Sequence, residues 1–422
     1  MAQRALVLVE GDTTGTGLLY VEAARRLGLH PITLSADPSQ YDYEAICVDT
    51  GNLDALIREC SHLRATYDIA GITSSLEAYY ATIGKLCQYF NLPGPDPTSI
   101  ERCCEKPAQR QLLAEAGVSI PAFRVSTNAT EVESAVAEIG LPVVLKPAVG
   151  AGSKGVRLCR NIAEVAEHVS YLLGGKHLWR SSPRILVEEF AQGPQYSIET
   201  MGNEIIGIAA ADFGPPPHFV LRQFTFPEEF TDEEHSRIAD IALSCMRALG
   251  VGWGPMNIEF RWTKRGPVVI EVNPRLGGVP TPQLVQLACG VDLVTEHIKL
   301  VIGDKCDLRI EHSQTAAARI LVPDRDGILD WIDGERGAAV VPGVIEVKLY
   351  AKPHMPITRN GDFRDWIGFV IAVSPSRSRT EAILRRAVDS IDWSISPFPN
   401  LATRENWRPS EGSIHRGNGC RA

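Results

Sequence analysis

The chain has 422 residues, 44% of them apolar and 22% charged, and a formal net charge of −9 from 42 basic and 51 acidic side chains. That length suits two or three packed subdomains, and the acidic balance argues against a general affinity for nucleic acid or anionic membranes. No apolar run approaches the roughly 20 residues of a membrane helix. The opening MAQRALVLVEGD enters a strand at once without a signal-peptide pattern, so a cytoplasmic location is expected.

In chain order, the first hundred residues alternate strand and helix. ALVLV (5–9), PITLS, AICVDT and the segment around DIAGITSS read as short strands with helices between them, which implies a parallel, helix-flanked sheet. LPGPDP (92–97) carries three prolines in six residues and marks a first boundary. A second unit opens with a helix from about Lys106 to Ala116. It continues through EVESAVAEIG, with Val132, Val136 and Ile139 at helical spacing, to the strand LPVVLKP. A third unit starts near Asn203. Its helix TDEEHSRIADIALSCMRALG begins with a capping threonine and an acidic first turn. NIEFRW and PVVIEVN follow as paired strands around TKRG. The expected divisions are 1–97, 98–202 and 203–400, with the polar, Gly-rich stretch 401–422 read as a loose tail. The ten cysteines, the vicinal Cys103-Cys104 included, form no CxxC pair and no metal ladder with histidine, and are expected to be reduced and mostly buried.

Two glycine clusters invite a phosphate reading. Gly11-Asp-Thr-Thr-Gly15-Thr-Gly17 fits neither the dinucleotide fingerprint nor a P-loop, and reads as a strand-to-helix turn, with backbone N–H groups that could meet a substrate carboxylate. In LPVVLKPAVGAGSKGV, Lys146 ends an apolar strand and is followed by Gly150, Gly152, Ser153 and Gly155. Such a loop can fold its amides over phosphate oxygens, and the lysine adds a point charge for the same anion. Alone, the segment reads equally well as a hairpin with an incidental lysine. ILVEEFAQGPQYSIE ends a strand in Glu188 and Glu189 and offers a carboxylate and free backbone groups for an adenine edge and ribose hydroxyls; two glutamates are as often a solvated edge.

The sharpest pattern is Asn257-Ile-Glu259-Phe followed by Glu271-Val-Asn273-Pro-Arg275. Glu271 and Asn273 share a face by the period of two, and Glu259 sits on the strand before. Carboxylates and an amide oxygen converging on a strand pair suit Mg²⁺, a hard cation that takes oxygen ligands and keeps phosphate oxygens among them. Arg275 follows at once, within reach of a transferring phosphoryl group. The competing reading is a surface hairpin, but an unpaired acid inside the apolar strand VVIEVN is costly.

Taken together, these pieces resemble the ATP-grasp superfamily over about residues 5–375, and within it the stand-alone carboxylate-amine ligases that make dipeptides, of the dapdiamide and bacilysin pathways. The resemblance rests on the order Lys106, Lys146 with GAGSKGV, the EEF hinge, then Glu259 and Glu271-x-Asn273-Pro-Arg275. It implies an α/β and α+β fold: an N-terminal parallel-sheet domain, a small central α+β lid and a larger C-terminal α+β domain. It also implies that Lys106 and Lys146 hold the α and β phosphates while the loop through Gly152, Ser153 and Gly155 closes over the γ-phosphate. Glu188 would take the adenine amino group, with Glu189 beside it and the backbone near Ala191 on the ring. Gln195 would stand at the ribose. Glu259, Glu271 and Asn273 would bind two Mg²⁺ ions, with Mn²⁺ as a substitute, and Arg275 would stabilise an acyl phosphate. The implied partners are a small carboxylate and an amine, with no nucleic acid or membrane and, by analogy alone, a homodimer.

Three positions depart from the family pattern. Asn257 replaces a common histidine, Leu221 stands where many relatives have an acid after PPPHFV, and Gln195 replaces a ribose-binding glutamate. The first two leave the substrates open. The expected chemistry is ADP-forming amide synthesis in natural-product biosynthesis, with Glu271→Ala or Arg275→Ala reducing turnover by orders of magnitude at little loss of folding. The alternatives are a biotin-carboxylase-like activation of bicarbonate and a silent ATP-binding module.

Overall fold

The computed structural model describes residues 2–11, 16–174 and 183–399. Residues 12–15 of the first glycine-rich turn and the segment 401–422 lie outside the described residues. The first sheet comprises β1 (Gln3–Val9), β2 (His30–Ser35), β3 (Ala45–Cys47) and β4 (Tyr67–Thr73), all parallel in the order β3-β2-β1-β4. Strand β1 is apolar on both faces because both are covered: Leu6 and Leu8 enter one core, and Ala5, Val7 and Val9 another.

A second sheet is formed by β5 (Phe123–Ser126), β6 (Val143–Pro147), β7 (Arg157–Cys159) and β8 (Ile185–Glu189), antiparallel in the order β5-β8-β6-β7. Its inner face packs against the helices Ala129–Ile139 and Ile162–Gly174 through Val132, Val136, Val165 and Leu172.

The strands that follow are β9 (Gln195–Met201), β10 (Glu204–Phe213), β11 (Leu221–Phe226), β12 (Pro255–Thr263), β13 (Gly266–Asn273), β14 (Thr315–Leu321), β15 (Gly327–Asp333), β16 (Val344–Leu349), β17 (Pro356–Ile357), β18 (Gly368–Ser374) and β19 (Asp392–Ser396). Eight of them build the largest sheet, β13-β12-β9-β10-β11-β14-β18-β16, while β17-β15-β19 form a small satellite. Thr231 caps the helix Asp232–Leu249 with a full capping box, and the helix lays Ile238, Ala242, Cys245 and Leu249 on the large sheet. This gives a mixed α/β and α+β architecture with a parallel N-terminal sheet. No helix among the described residues is long and apolar enough to cross a membrane. Among the described residues eight cysteines are free thiols, six of them buried, whereas Cys47 is disulfide-bonded, a departure from the expected reduced state.

Candidate functional site

A cavity of about 230 Å³ opens between the second sheet and the large one. Among the residues lining it are all thirteen that the sequence singles out except Gly155: Lys106, Lys146, Gly152, Ser153, Glu188, Glu189, Ala191, Gln195, Glu259, Glu271, Asn273 and Arg275. Gly155 lies in the same loop, where its carbonyl oxygen meets His168 Nε2 at 2.9 Å.

The acidic hairpin is set by strand register. In the β12–β13 pair Glu259 stands opposite Glu271 and Asn257 opposite Asn273, so the polar groups share one face of an otherwise apolar ribbon. Burial and the neighbouring Glu271 push the Glu259 carboxyl up to about 7, whereas Lys106 and Lys146 overcome burial and hold Glu271 below the usual carboxylate range. Gln195 Nε2 donates to Glu259 Oε2 at 2.9 Å. Asn273 directs its Nδ2 to Asn257, which leaves Oδ1 as its group for a cation. Asn257 in turn donates to the buried Glu199 at 2.6 Å. Two facing carboxylates and an amide oxygen fit a hard divalent ion. Among the described residues no group of three or more His, Cys, Asp or Glu could hold a metal ion, so such an ion would draw its other oxygens from a ligand or water.

Both lysines are buried and paired. Lys106 is the first residue of the helix Lys106–Glu115, tied to the end of β6 by its backbone N–H on Ala148 O at 3.0 Å. Its Nζ lies 2.7 Å from Glu271 Oε1 and donates to Gly150 O at 2.6 Å. Burial opposes its charge, yet Glu271 outweighs burial and raises its pKa. Lys146 and Glu188 are diagonal neighbours on one face of the β6–β8 pair, where Val144 stands opposite Glu188, and their charges meet at 2.6 Å. Arg110 Nε takes the other Glu188 oxygen at 2.6 Å. Both Glu188 oxygens are therefore engaged by cations, and burial is overcome by Arg110 and Lys146 in lowering its pKa. Glu189 turns instead to Arg265 at 2.9 Å. The Ala191 carbonyl accepts from Arg261.

The glycine loop lies against the opposite wall. Gly152 has φ 67° and Ser153 φ 63°, left-handed conformations that glycine adopts freely and serine does not. A β-carbon at Gly152 would run into the Phe363 ring, and Phe363 N–H donates to Gly152 O at 3.4 Å. Lys154 Nζ sits 5.3 Å over the same ring. Leu158 N–H reaches Pro217 O at 2.8 Å, a further tie between the second sheet and the large one.

Several site residues had no sequence signal. Arg110 is fully buried and also donates to Ile270 O, while Gln109 clamps Val272 through both its N–H and C=O. Glu77, in the short helix Glu77–Tyr79 after β4, holds Arg275 Nε at 2.7 Å, so the parallel-sheet domain touches the site directly. Leu221, by contrast, was marked in the sequence as a departure from the family pattern, and it is buried and lines the cavity.

A model of the ATP-grasp domain matches residues 139–283, and a model of the L-amino acid ligase C-terminal domain 2 matches residues 319–396. The chain is 61% identical over 413 residues to the uncharacterized protein y4rH of Sinorhizobium fredii, covering 96% of this chain and 86% of that protein. It is 28% identical over 238 residues to human carnosine synthase 1, covering 52% of this chain but only 29% of that longer protein. The crystal structure of an L-amino acid ligase from Bacillus licheniformis superimposes with a TM-score of 0.80 at 21% identity, covering 94% of this chain and 100% of that one.

Proposed function

The chain belongs to the ATP-grasp ligases, and on that premise we propose that it is an ADP-forming carboxylate-amine ligase that joins two amino acids or amino-acid-like molecules through an acyl phosphate. The observation that carries this reading is the convergence of two buried lysines, two facing glutamates, Asn273 and Arg275 on one cavity beneath a glycine loop. The matched ligase domain and the similarity to carnosine synthase support amide formation over bicarbonate chemistry; a place in natural-product assembly is part of the proposal.

In this proposal the substrate carboxylate attacks the γ-phosphorus of ATP, ADP leaves, and the acyl phosphate forms. The amine then attacks the acyl carbon and phosphate departs, with one proton released. Lys106 and Lys146 would hold phosphate oxygens, and Arg275 would meet the charge that develops on the transferring group. Glu259, Glu271 and Asn273 would hold Mg²⁺, which when bound neutralises phosphate charge. Glu188, saturated by Arg110 and Lys146, fits the role of positioning Lys146 better than that of accepting from adenine. The loop through Gly152 and Ser153, seated on Phe363, would exclude water from the acyl phosphate.

Trapping tests the intermediate. With Mg-ATP, one amino acid and hydroxylamine as the sole amine, the enzyme is expected to release ADP and form the matching hydroxamate. Hydroxamate with AMP and pyrophosphate would exclude the acyl phosphate.

A further inference from the structure

Strand β9 carries Gln195, Ser197 and Glu199 on one face by the period of two. The register sets each of them opposite a polar residue of β12: Gln195 opposite Arg261, Ser197 opposite Glu259 and Glu199 opposite Asn257. Strand β13 extends the last two rows, with Glu271 beyond Glu259 and Asn273 beyond Asn257. One row therefore ends in the two facing carboxylates. The other ends in the Asn273 amide and begins in Glu199, an acid that does not line the cavity.

Glu199 is 1% exposed and forms no ion pair among the described residues, an expensive state for an acid. Donors hold it in place of a cation. Asn257 Nδ2 donates to its Oε1 at 2.6 Å and Ser197 Oγ to the same oxygen at 3.0 Å, while the Gly277 backbone N–H also faces it. A β-carbon at Gly277 would stand 3.0 Å from that oxygen, so the glycine lets the loop after Arg275 close on the acid. Glu199 thus meets the site only through its neighbours.

An asparagine amide has two ends of nearly equal shape, so packing cannot choose between acceptor and donor; its hydrogen-bond partners do. A carboxylate only accepts. Glu199 therefore draws the Nδ2 of Asn257 and turns its Oδ1 the other way. That oxygen takes the Nδ2 of Asn273 at 3.3 Å, which leaves Asn273 Oδ1 as the end offered to a cation. Reversing the two amides would put a hydrogen-bearing nitrogen where a metal needs a lone pair. On the reading of the site as a Mg²⁺-nucleotide centre, we propose that Glu199 is a positioning residue that holds Asn273 in its metal-binding orientation through Asn257. It does so from two strands away, touching neither metal nor substrate.

Mn²⁺ titration of the full chain, read by electron paramagnetic resonance with β,γ-imido-ATP held equal to the protein, tests this without turnover. Asn273→Ala is expected to bind Mn²⁺ about tenfold more weakly than the wild type, and Glu199→Met, which removes the acceptor at similar bulk, to lose a similar factor. Binding of the analogue without metal is expected to stay unchanged in both. The double variant should bind Mn²⁺ no more weakly than Asn273→Ala alone, because the relay then has nothing to orient; a general loosening of the sheet would multiply the two losses. Glu199→Gln keeps the shape and adds one donor, so it is expected to lose at least about threefold and keeps the test open should Glu199→Met fail to fold. Wild-type Mn²⁺ affinity in the folded Glu199 variants, beside a loss in Asn273→Ala, would overturn the relay and leave the metal reading standing. Multiplied losses in the double variant, or an equal loss of metal-free analogue binding, would do the same. Unchanged Mn²⁺ affinity in Asn273→Ala would remove the metal reading and the relay with it.

Discussion

Lys106 Nζ and Glu271 Oε1 stand 2.7 Å apart, joining the first residue of a helix to the second strand of the acidic hairpin 165 positions later. Each serves as the other's counter-ion in a place where neither charge is well hydrated. A phosphate and a divalent cation would part them by giving Lys106 an anion and Glu271 a cation, so the two ligands are expected to bind more tightly together than singly. The same pairing changes what mutation of this acid does.

Glu271→Ala leaves the buried Lys106 unpaired and is expected to destabilise the protein by roughly 3 kcal/mol, contrary to the small folding loss expected from sequence. Glu271→Gln keeps the shape, and Arg275→Met removes a largely buried guanidinium whose partner Glu77 is itself 21% exposed and can be hydrated in its absence. Both are expected to lower turnover about a hundredfold or more while remaining folded. Phosphate release and thermal melts on the same preparations check this; near wild-type turnover in either variant would remove that residue from the site.

Arg110→Met strips one cation from Glu188 and is expected to cost about 3–5 kcal/mol, because Glu188 is 2% exposed and keeps only Lys146. Denaturant melts measure the loss. Double substitution with Glu188→Gln should recover a large part of it, and strict additivity of the two losses would show that the pair is not coupled.

Phe363→Ala removes the ring against which Gly152 and Lys154 rest. The loop should open more often, so phosphate release without amide product is expected to rise several-fold relative to coupled turnover. Measuring phosphate and amide in one reaction gives the ratio; an unchanged ratio would detach the loop from water exclusion.

His297 gives stability a pH slope. It is fully buried on the helix Leu293–Val301, meets Thr73 Oγ1 at 3.0 Å, and burial pushes it from the ordinary 6.5 down to about 3. The unfolded chain binds a proton there that the folded chain refuses, so stability is complete above pH 6.5 and is lost as pH falls toward 3. Melts across that window are expected to show a shallower decline in His297→Phe than in the wild type. Parallel declines would place the acid sensitivity elsewhere.

The alternation of VVIEVN was enough to put Glu271 and Asn273 on one face, and the hairpin then set Glu259 and Asn257 opposite them. The parallel first sheet was likewise written in its apolar runs and intervening helices. What could not be read was which charge meets which. Arg110 to Glu188 spans 78 positions and Arg275 to Glu77 spans 198, and nothing local to either end marks the pairing. Phe363 as the seat of the glycine loop is the same kind of fact, since it depends on how two sheets dock. Glu188 looked like a free carboxylate because sequence shows a charge and not its partners.

The most direct test of the ligase reading is product analysis of Mg-ATP reactions over a matrix of amino acids and small carboxylates. ADP release that requires two partners, with a product mass equal to their sum minus one water, is the predicted result. AMP and pyrophosphate in place of ADP and phosphate, or ADP release with no condensed product for any pair, would contradict it.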